Sequence, residues 1–517
     1  MSKKKDLQVA ASIDVGSNYL RMAIGEISAD GNYFILEDIV KSTNIGRDTF
    51  STGRISIQTI HETCADLKKF VKLIKDYRVK NYKAVSTSGI REAENREYIM
   101  EQVRLKTGIE IEIINNAQER FFLYKALRKQ LSHSILSDAL PLLIINIASG
   151  GVEISIYESE NLLLTEYIKL GSLRLHETLS GLESKSLNFP GVMEEFIESK
   201  IYLIESSIKN MNIQNFIGLG GELNTIVKLF GNNIDKNDGI LFIHKKDMVS
   251  LYEKMTTMGS DRIINEYKIT KKECEILLPS VILFHCFLKL TKAKGILAPM
   301  VSLRHGILYN IADKLFDTPG NINSISDIIS SAWYIAEKYN VDKNHAKFVE
   351  EISLSIFDQS AKYHGLNNDE RLYLQVAAIL HDTGNYVNLS EHHIHSYSII
   401  RVRKITGFSN REILLIAGIA KYHAYDIPVY SDENYRILTD REKIVVSKLS
   451  AILKLAESLD VSHRQKIKKL QIEPSGDALL FHIYSNTDTL LEEWDFIHNT
   501  PFFEEVMGII PLIKHKG

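Results

Sequence analysis

The stretch Ala11-Ser12-Ile13-Asp14-Val15-Gly16-Ser17-Asn18-Tyr19-Leu20 decides how the rest of the chain is read. The apolar run at residues 9–13 has the composition of a buried strand and ends on a single acid, Asp14. A glycine turn with two short polar side chains, Ser17 and Asn18, follows, and a second strand-like run at 20–27 leads back. Gly16 lets backbone approach closely, and free N–H groups beside a hydroxyl and an amide can wrap an oxyanion. The Asp14 carboxylate at the strand end can hold a hydrated metal ion beside a phosphate. Taken alone, the same residues also make an ordinary hairpin, in which Asp and Asn serve turn chemistry.

Working outward, the first tip is followed by a strand pattern at 33–40 and by a helix with apolar residues at Ile57, Ile60, Cys64, Leu67, Val71 and Ile74. A short strand at 82–85, a helix at 95–106, a strand at 109–114 and a helix at 117–131 come next. The layout then restarts. A buried-strand run at 142–147 ends in Asn146-Ile147-Ala148-Ser149-Gly150-Gly151, with strand patterns at 153–157 and 162–168 behind it. Helices at 171–179 and 192–209, a strand at 216–219 reaching Gly220-Gly221, a helix from Glu222, a helix at 273–290 and a strand at 296–299 complete it. Strand, acid or amide, glycine tip and returning strand occur twice, which implies two related α/β halves whose tips face one cleft. That repetition favours the phosphate cradle over the plain turn.

Beyond residue 320 helical patterns take over, at 324–339, 344–363, 369–380, 395–406, 410–422 and 441–459. A hairpin pattern at 470–486 turns on Pro474-Ser475-Gly476-Asp477, short helical segments end the chain, and the turn residues of 317–321 mark a linker. The expected division is 1–134 and 135–316 for the two lobes, 322–465 for a helical domain and 466–517 for a small α/β segment.

At 517 residues the chain is too long for one core, and its 44% hydrophobic and 25% charged content is that of a soluble globular protein. A net charge of -3 gives no general pull toward nucleic acid or anionic membrane, so neither is expected as a partner. No run approaches the roughly 20 apolar residues of a membrane span. The lysines at the start have no apolar signal core behind them, and Cys64, Cys274 and Cys286 lack metal-ligand spacing, so a cytoplasmic protein with reduced thiols is expected. Basic clusters such as Lys68-Lys69 read as solvated helix faces. The histidines His381, His392, His393, His395 and His423 crowd into one short region.

The two tips, with Gln118-Glu119-Arg120 between them and Val152-Glu153 after the second, resemble the exopolyphosphatase/guanosine pentaphosphate phosphatase (Ppx/GppA) family. Thr87-Ser88-Gly89-Ile90-Arg91, Leu170-Gly171-Ser172-Leu173-Arg174, Gly218-Leu219-Gly220-Gly221 and Leu303-Arg304-His305-Gly306 continue the match. The resemblance implies a duplicated actin-like, ribonuclease H-like two-lobed module of the sugar kinase–Hsp70 superfamily. It implies Mg²⁺-dependent release of terminal phosphate from inorganic polyphosphate or guanosine pentaphosphate, usually by a homodimer. Mapped onto this chain, Glu119 orients or deprotonates the attacking water. Ser17, Asn18, Gly150, Gly151, Gly220, Gly221 and Arg91 hold phosphate, and Asp14, Asn146 and Glu153 surround the metal.

Departures from the family pattern are concentrated in the second tip. Asn146 stands for a carboxylate, Ala148 and Ser149 for glycines, and Val152 for a hydroxyl residue; Ala117, Glu222 and His305 also differ from the usual choices. Together they admit a second reading, a weakened protein that binds polyphosphate or guanosine penta- or tetraphosphate without turnover.

The helical part resembles HD-type domains through His381-Asp382-Thr383-Gly384, His392-His393-Ile394-His395, Lys421-Tyr422-His423 and Leu455-Ala456-Glu457-Ser458-Leu459-Asp460. That resemblance implies a metal set of His345, His381, Asp382 and Asp460, with His395 and His423 for a second ion or a phosphate. Imidazole with carboxylate suits Mn, Fe or Zn, so a metal-dependent phosphohydrolase at this site is a third reading.

Overall fold

Both tips are closed by the same pairing. β1 (Gln8–Val15) and β2 (Tyr19–Ile27) run antiparallel with Asp14 opposite Arg21 and Val15 opposite Leu20, and β3 (Tyr33–Ser42) extends the meander. β4 (Asn81–Ser86) lies parallel to β1 and β5 (Ile111–Ile113) parallel to β4, so the sheet order is β3-β2-β1-β4-β5. The central β1 is buried from Ala10 onward, as an apolar strand flanked on both edges must be, while edge strand β3 alternates half-buried with exposed residues. The computed structural model of the chain describes residues 7–131, 140–159, 161–230, 235–237, 240–316, 318–403, 405–424 and 426–516.

The second half repeats this plan. β6 (Leu142–Ile147) pairs with β7 (Val152–Glu158), Asn146 opposite Glu153 and Ile147 opposite Val152, and β8 (Asn161–Ile168) follows. β9 (Asn215–Leu219) runs parallel to β6. Two strands absent from the sequence reading, β10 (Asp235–Asn237) and β11 (Ile240–His244), precede β12 (Gly295–Ala298), which lies parallel to β9. The order β8-β7-β6-β9-β12 therefore copies β3-β2-β1-β4-β5, with β11 and β10 added beyond β12. The helices Ile45–Thr52, Lys245–Thr257 and Ser260–Tyr267 were likewise missing from that reading, being short or flanked by residues without a clear apolar period.

The chain divides into two compact units, Met1–Asp327 and Ile328–Gly517, and the division falls inside the helix Pro319–Lys338; of the linker expected at 317–321, residues 319–321 open this helix and residue 317 lies outside the described residues. Sequence order assigns 135–316 to the second lobe. The helix Leu303–Phe316 nevertheless packs into the first, where Leu303, Ile307, Leu308 and Ile311 share a core with Ala10, Ala23, Val85 and Phe122. Its apolar stripe matches that surface, and nothing local in the sequence names the surface it will cover.

In the second unit, the helices Lys343–Gln359, Asn368–Leu380, His392–Val402, Asn410–Lys421 and Asp440–Ser458 are joined by a three-stranded sheet, β13 (Ile467–Ser475), β14 (Ala478–Ser485) and β15 (Ile510–Lys516). The expected short helical segments at the end of the chain are one helix, Leu490–Met507, and then β15, parallel to β14. Phe496 packs tilted and Phe503 edge-on against Phe481 of β14, and they hold this helix in place despite Pro501. Among the described residues no helix is long and apolar enough to cross a membrane.

Candidate active site

A cavity of about 350 Å³ opens between the two tips, lined among others by Asp14, Ser17, Asn18, Glu119, Asn146, Ser149, Gly220 and Gly221. Each is placed by a local rule. Asp14 occupies the next-to-last position of β1, and Asn146 the same position of β6. Gly220 adopts φ +131°, and a Cβ there would lie 2.2 Å from the Ile147 carbonyl oxygen, so only glycine fits this join between β9 and the helix Gly221–Phe230. Glu119 sits in the first turn of the helix Asn116–Gln130, which is fixed by a capping box: Gln118 N donates to Asn115 Oδ1 at 3.0 Å, and Asn115 N to Gln118 Oε1 at 3.1 Å.

Glu119 carries the strongest chemical signal. Burial pushes its carboxyl up to about 7, the Arg91 guanidinium 4.0 Å away pulls it down, and Glu153 and Asp14 push it up further. Arg91 is not at the cavity wall. It donates to the Ile114 carbonyl at 2.6 Å and to Asn116, and so sets the field around Glu119. The wall cations are Arg21, Arg304 and Lys228. Arg21 donates to Asp14 Oδ2 at 3.3 Å and reaches across to Gly221. Arg304 donates Nη2 to Asp38 at 2.8 Å and keeps Nε and Nη1 buried without a hydrogen-bond partner, donors suited to an oxyanion. The sequence reading missed Arg21; its signal was the cross-strand position opposite Asp14.

Gly150, Gly151 and Glu153 serve packing. A Cβ on Gly150 would meet Ser88 Oγ at 2.2 Å, and one on Gly151 would meet the Tyr167 hydroxyl at 2.3 Å. The Gly150 carbonyl accepts from Arg174 Nε at 2.7 Å. The cavity face of this tip is instead Asn146, Ala148 and Ser149. Ser17 Oγ lies 3.1 Å from Ser88 Oγ, tying the first tip to the helix Ser88–Arg91. Glu153 is buried against Arg120 at 2.5 Å, away from the main cavity. Removing that carboxylate leaves a buried guanidinium uncompensated, so Glu153→Ala is expected to cost about 3–5 kcal/mol in urea unfolding. A change under about 0.5 kcal/mol would remove the pair's structural role. His305, pulled down to about 4 by burial and the neighbouring Arg304, stays neutral and accepts from Ser302 N at 3.2 Å.

For a magnesium ion, the donor set fits at Asp14. Its Oδ1 is buried without a hydrogen-bond partner while Oδ2 faces Arg21, and the Asn146 amide stands on the opposite tip. Hard oxygen donors of this kind suit Mg²⁺. Glu222 also lines the cavity, at the start of the helix Gly221–Phe230, where burial pushes its carboxyl up and Arg21 pulls it down.

The second unit brings His345, His381 and Asp382 together and places Asp460 behind them. His345 lies in the first turn of its helix, held by the Asp342 N-cap, and His381 directly follows the helix Asn368–Leu380. Asp460 Oδ2 accepts from His345 Nδ1 at 2.9 Å and is saturated by Gln465, so it orients the ring from outside. Glu457, one turn earlier in the chain, takes the inner place, 3.1 Å from both His345 Nε2 and His381 Nε2. His392 and His423 join them, with Nε2 atoms 3.6 and 3.9 Å from Asp382 Oδ1.

Two copies of a five-strand sheet with facing hairpin tips define the first unit as an actin-like, two-lobed α/β module. The chain belongs to the Ppx/GppA phosphatase family: the family pattern matches residues 26–315, and that of Ppx/GppA phosphatase domain III matches residues 329–500. It is similar to the guanosine-5'-triphosphate,3'-diphosphate pyrophosphatase of Pseudoalteromonas translucida, 22% identical over 82% of each chain. It is 26% identical to the bifunctional 3-dehydroquinate synthase/phosphatase of Fusobacterium nucleatum over 44% of this chain, a match spanning only 35% of that relative. The crystal structure of an exopolyphosphatase from Cytophaga hutchinsonii shares the fold, with a TM-score of 0.54 and 18% identity over 59% of this chain and 98% of that one.

Proposed function

We propose that the cleft of the first unit hydrolyses the terminal phosphoanhydride of a linear phosphate chain, either inorganic polyphosphate or guanosine pentaphosphate, with Mg²⁺. The observation that carries this reading is Glu119, a buried carboxyl raised to about 7 in a cavity that also holds Asp14, Arg21 and Arg304. A carboxyl of that pKa is partly ionised at neutral pH and strong enough as a base to take a proton from water as it attacks phosphorus. Arg304 Nε and Nη1, with the Ser17–Asn18 tip, hold the non-leaving oxygens. Asp14 Oδ1 and Asn146 are the groups to hold Mg²⁺, which when bound neutralises charge on the transferred phosphoryl group. The relatives' names, pyrophosphatase and exopolyphosphatase, support the substrate class.

The test is phosphate release by the full chain with Mg²⁺, from polyphosphate in one arm and guanosine pentaphosphate in the other. Because the ionised form of Glu119 does the work, kcat/KM is expected to rise with pH along an acid limb centred near 7 and to level above it. A flat profile from pH 5 to 9 would remove Glu119 as the base. Tight binding of either substrate with no release under any divalent ion would leave the second reading, a binding protein shaped by the departures at Asn146, Ala148 and Ser149.

A further inference from the structure

The cavity of the first unit has the size of a small-molecule pocket, about 350 Å³, and its two ends differ in chemistry. The reacting end holds Asp14, Glu119, Asn146 and Arg304. Arg21 marks the join. It donates to Asp14 Oδ2 at 3.3 Å, its Cζ lies 4.9 Å from the centre of the Tyr19 ring, and its Nη2 would stand 3.0 Å from a Cβ on Gly221. The other end is built from Tyr19, Glu222, Asn224, Thr225, Lys228 and Glu273. Asn224, Thr225 and Lys228 follow Gly221 at helical spacing and so share one face of the helix Gly221–Phe230. Glu222 lies in the first turn of that helix. Glu273 lies in the first turn of the helix Lys271–Lys289, where its Oε2 accepts from Thr270 N at 2.8 Å.

Two carboxylates therefore face the far end. Glu222 is 5% exposed; burial pushes its carboxyl up, while its own backbone N–H and then Arg21 pull it down. The Tyr19 hydroxyl lies in the field of both acids: burial pushes it up first, and Glu222 and Glu273 push the same way. Lys228 is the cation of this end, and it is exposed, where water and salt screen its charge. A tail of further phosphates entering here meets like charge in a partly dry site. It is repelled by the ionised Glu222 or obliges that carboxyl to take up a proton, and both cost binding energy. A neutral group with N–H and O–H donors does the opposite. It satisfies the carboxylates and leaves the Asn224 amide and Thr225 hydroxyl to complete the contacts. A ribose has such donors, and guanine carries a ring N–H and an amino group side by side, matched to the two oxygens of one carboxylate.

We propose that Glu222 and Glu273 are the specificity-determining residues of this cleft: they exclude long inorganic polyphosphate and admit an oligophosphate whose leaving end is a nucleoside, which makes guanosine pentaphosphate the substrate of the two. The assignment rests on phosphoanhydride hydrolysis in the same cleft.

The full chain is assayed with Mg²⁺ for phosphate release from guanosine pentaphosphate, tripolyphosphate and a long-chain polyphosphate, at equal concentrations of chain ends. The wild type is expected to show a kcat/KM at least about tenfold higher for guanosine pentaphosphate than for either inorganic chain. Glu222→Gln combined with Glu273→Gln should raise kcat/KM for the long chain at least about tenfold and lower that for guanosine pentaphosphate by a similar factor, mostly through KM. An amide keeps the volume of each side chain and, in Glu273→Gln, the capping box. Opposite changes for two substrates in one protein do not come from damaged folding. Dissociation constants of the same three ligands in a Glu119→Gln background read the selectivity without turnover. Selective binding with no phosphate release from the wild type overturns hydrolysis and leaves the two acids as the selecting groups. Equal or better handling of the long chain by the wild type overturns their role, as does a double variant whose constants for the two ligands move together or stay unchanged. Tripolyphosphate matching guanosine pentaphosphate overturns the nucleoside contact. No binding of any of the three overturns both readings.

Discussion

Glu119→Gln is expected to lower kcat for phosphate release about 10²- to 10⁴-fold, the usual contribution of a general base, with little change in substrate binding. The amide keeps the volume and the neighbours of the carboxyl, including Arg91 at 4.0 Å, and removes only the group that takes the proton. The same substitution has a second, independent signature. The carboxyl keeps its proton up to about 7 in the folded chain but only to about 4.5 when exposed, so the folded state binds more protons between those values. Its stability therefore falls as pH rises through them, and above about 7 the ionised, buried carboxylate is a standing cost. Glutamine cannot ionise. The variant should match the wild-type chain in stability at pH 4 and exceed it by about 3 kcal/mol at pH 8, measured by thermal or urea unfolding without substrate. A residue on the helix surface would show neither effect. Loss of turnover without the pH-dependent gain would make Glu119 a ligand rather than a buried base.

Asp14→Asn carries the other large effect, a fall of about 10²- to 10³-fold in phosphate release, as expected when one preorganised charge is lost from a phosphoryl-transfer site. Its diagnostic readout is Mg²⁺ binding without substrate. The wild-type melting temperature should rise with Mg²⁺ concentration, and the variant's should not, because the amide takes the charged oxygen out of the donor pair of Asp14 and Asn146. In the absence of Mg²⁺ the variant should be at least as stable as the wild type. Burial pushes the Asp14 carboxyl up in spite of Arg21 and Arg304, so its charge is poorly solvated and its removal relieves the fold. An unchanged Mg²⁺ response would move the metal to other groups of the cavity.

Much of this molecule is legible along the chain because strands and helices write their period into local sequence. The buried runs of β1 and β6, the tips behind them and the helix bearing Glu119 all follow from apolar spacing and a glycine or an Asn cap. The duplication is visible for the same reason, since the two hairpins share one register, Asp14 opposite Arg21 and Asn146 opposite Glu153. Partner choice is a different matter. That Gly150 packs on Ser88, that Glu153 pairs with Arg120 and that the helix Leu303–Phe316 covers the first lobe depend on which surface arrives opposite. No local pattern encodes that arrival.

The histidine cluster divides along the same line. Along the chain, it is the resemblance to HD-type domains that names His345, His381, Asp382 and Asp460 as one set. Only the tertiary structure decided that Asp460 stands behind His345 as an orienting acceptor and that Glu457 turns inward. These two acids lie three residues apart at the end of one helix, and which of them faces the imidazoles is set by where that helix ends and by the Gln465 contacts beyond it. Spacing can nominate both acids; only packing against the neighbouring helices assigns each its side.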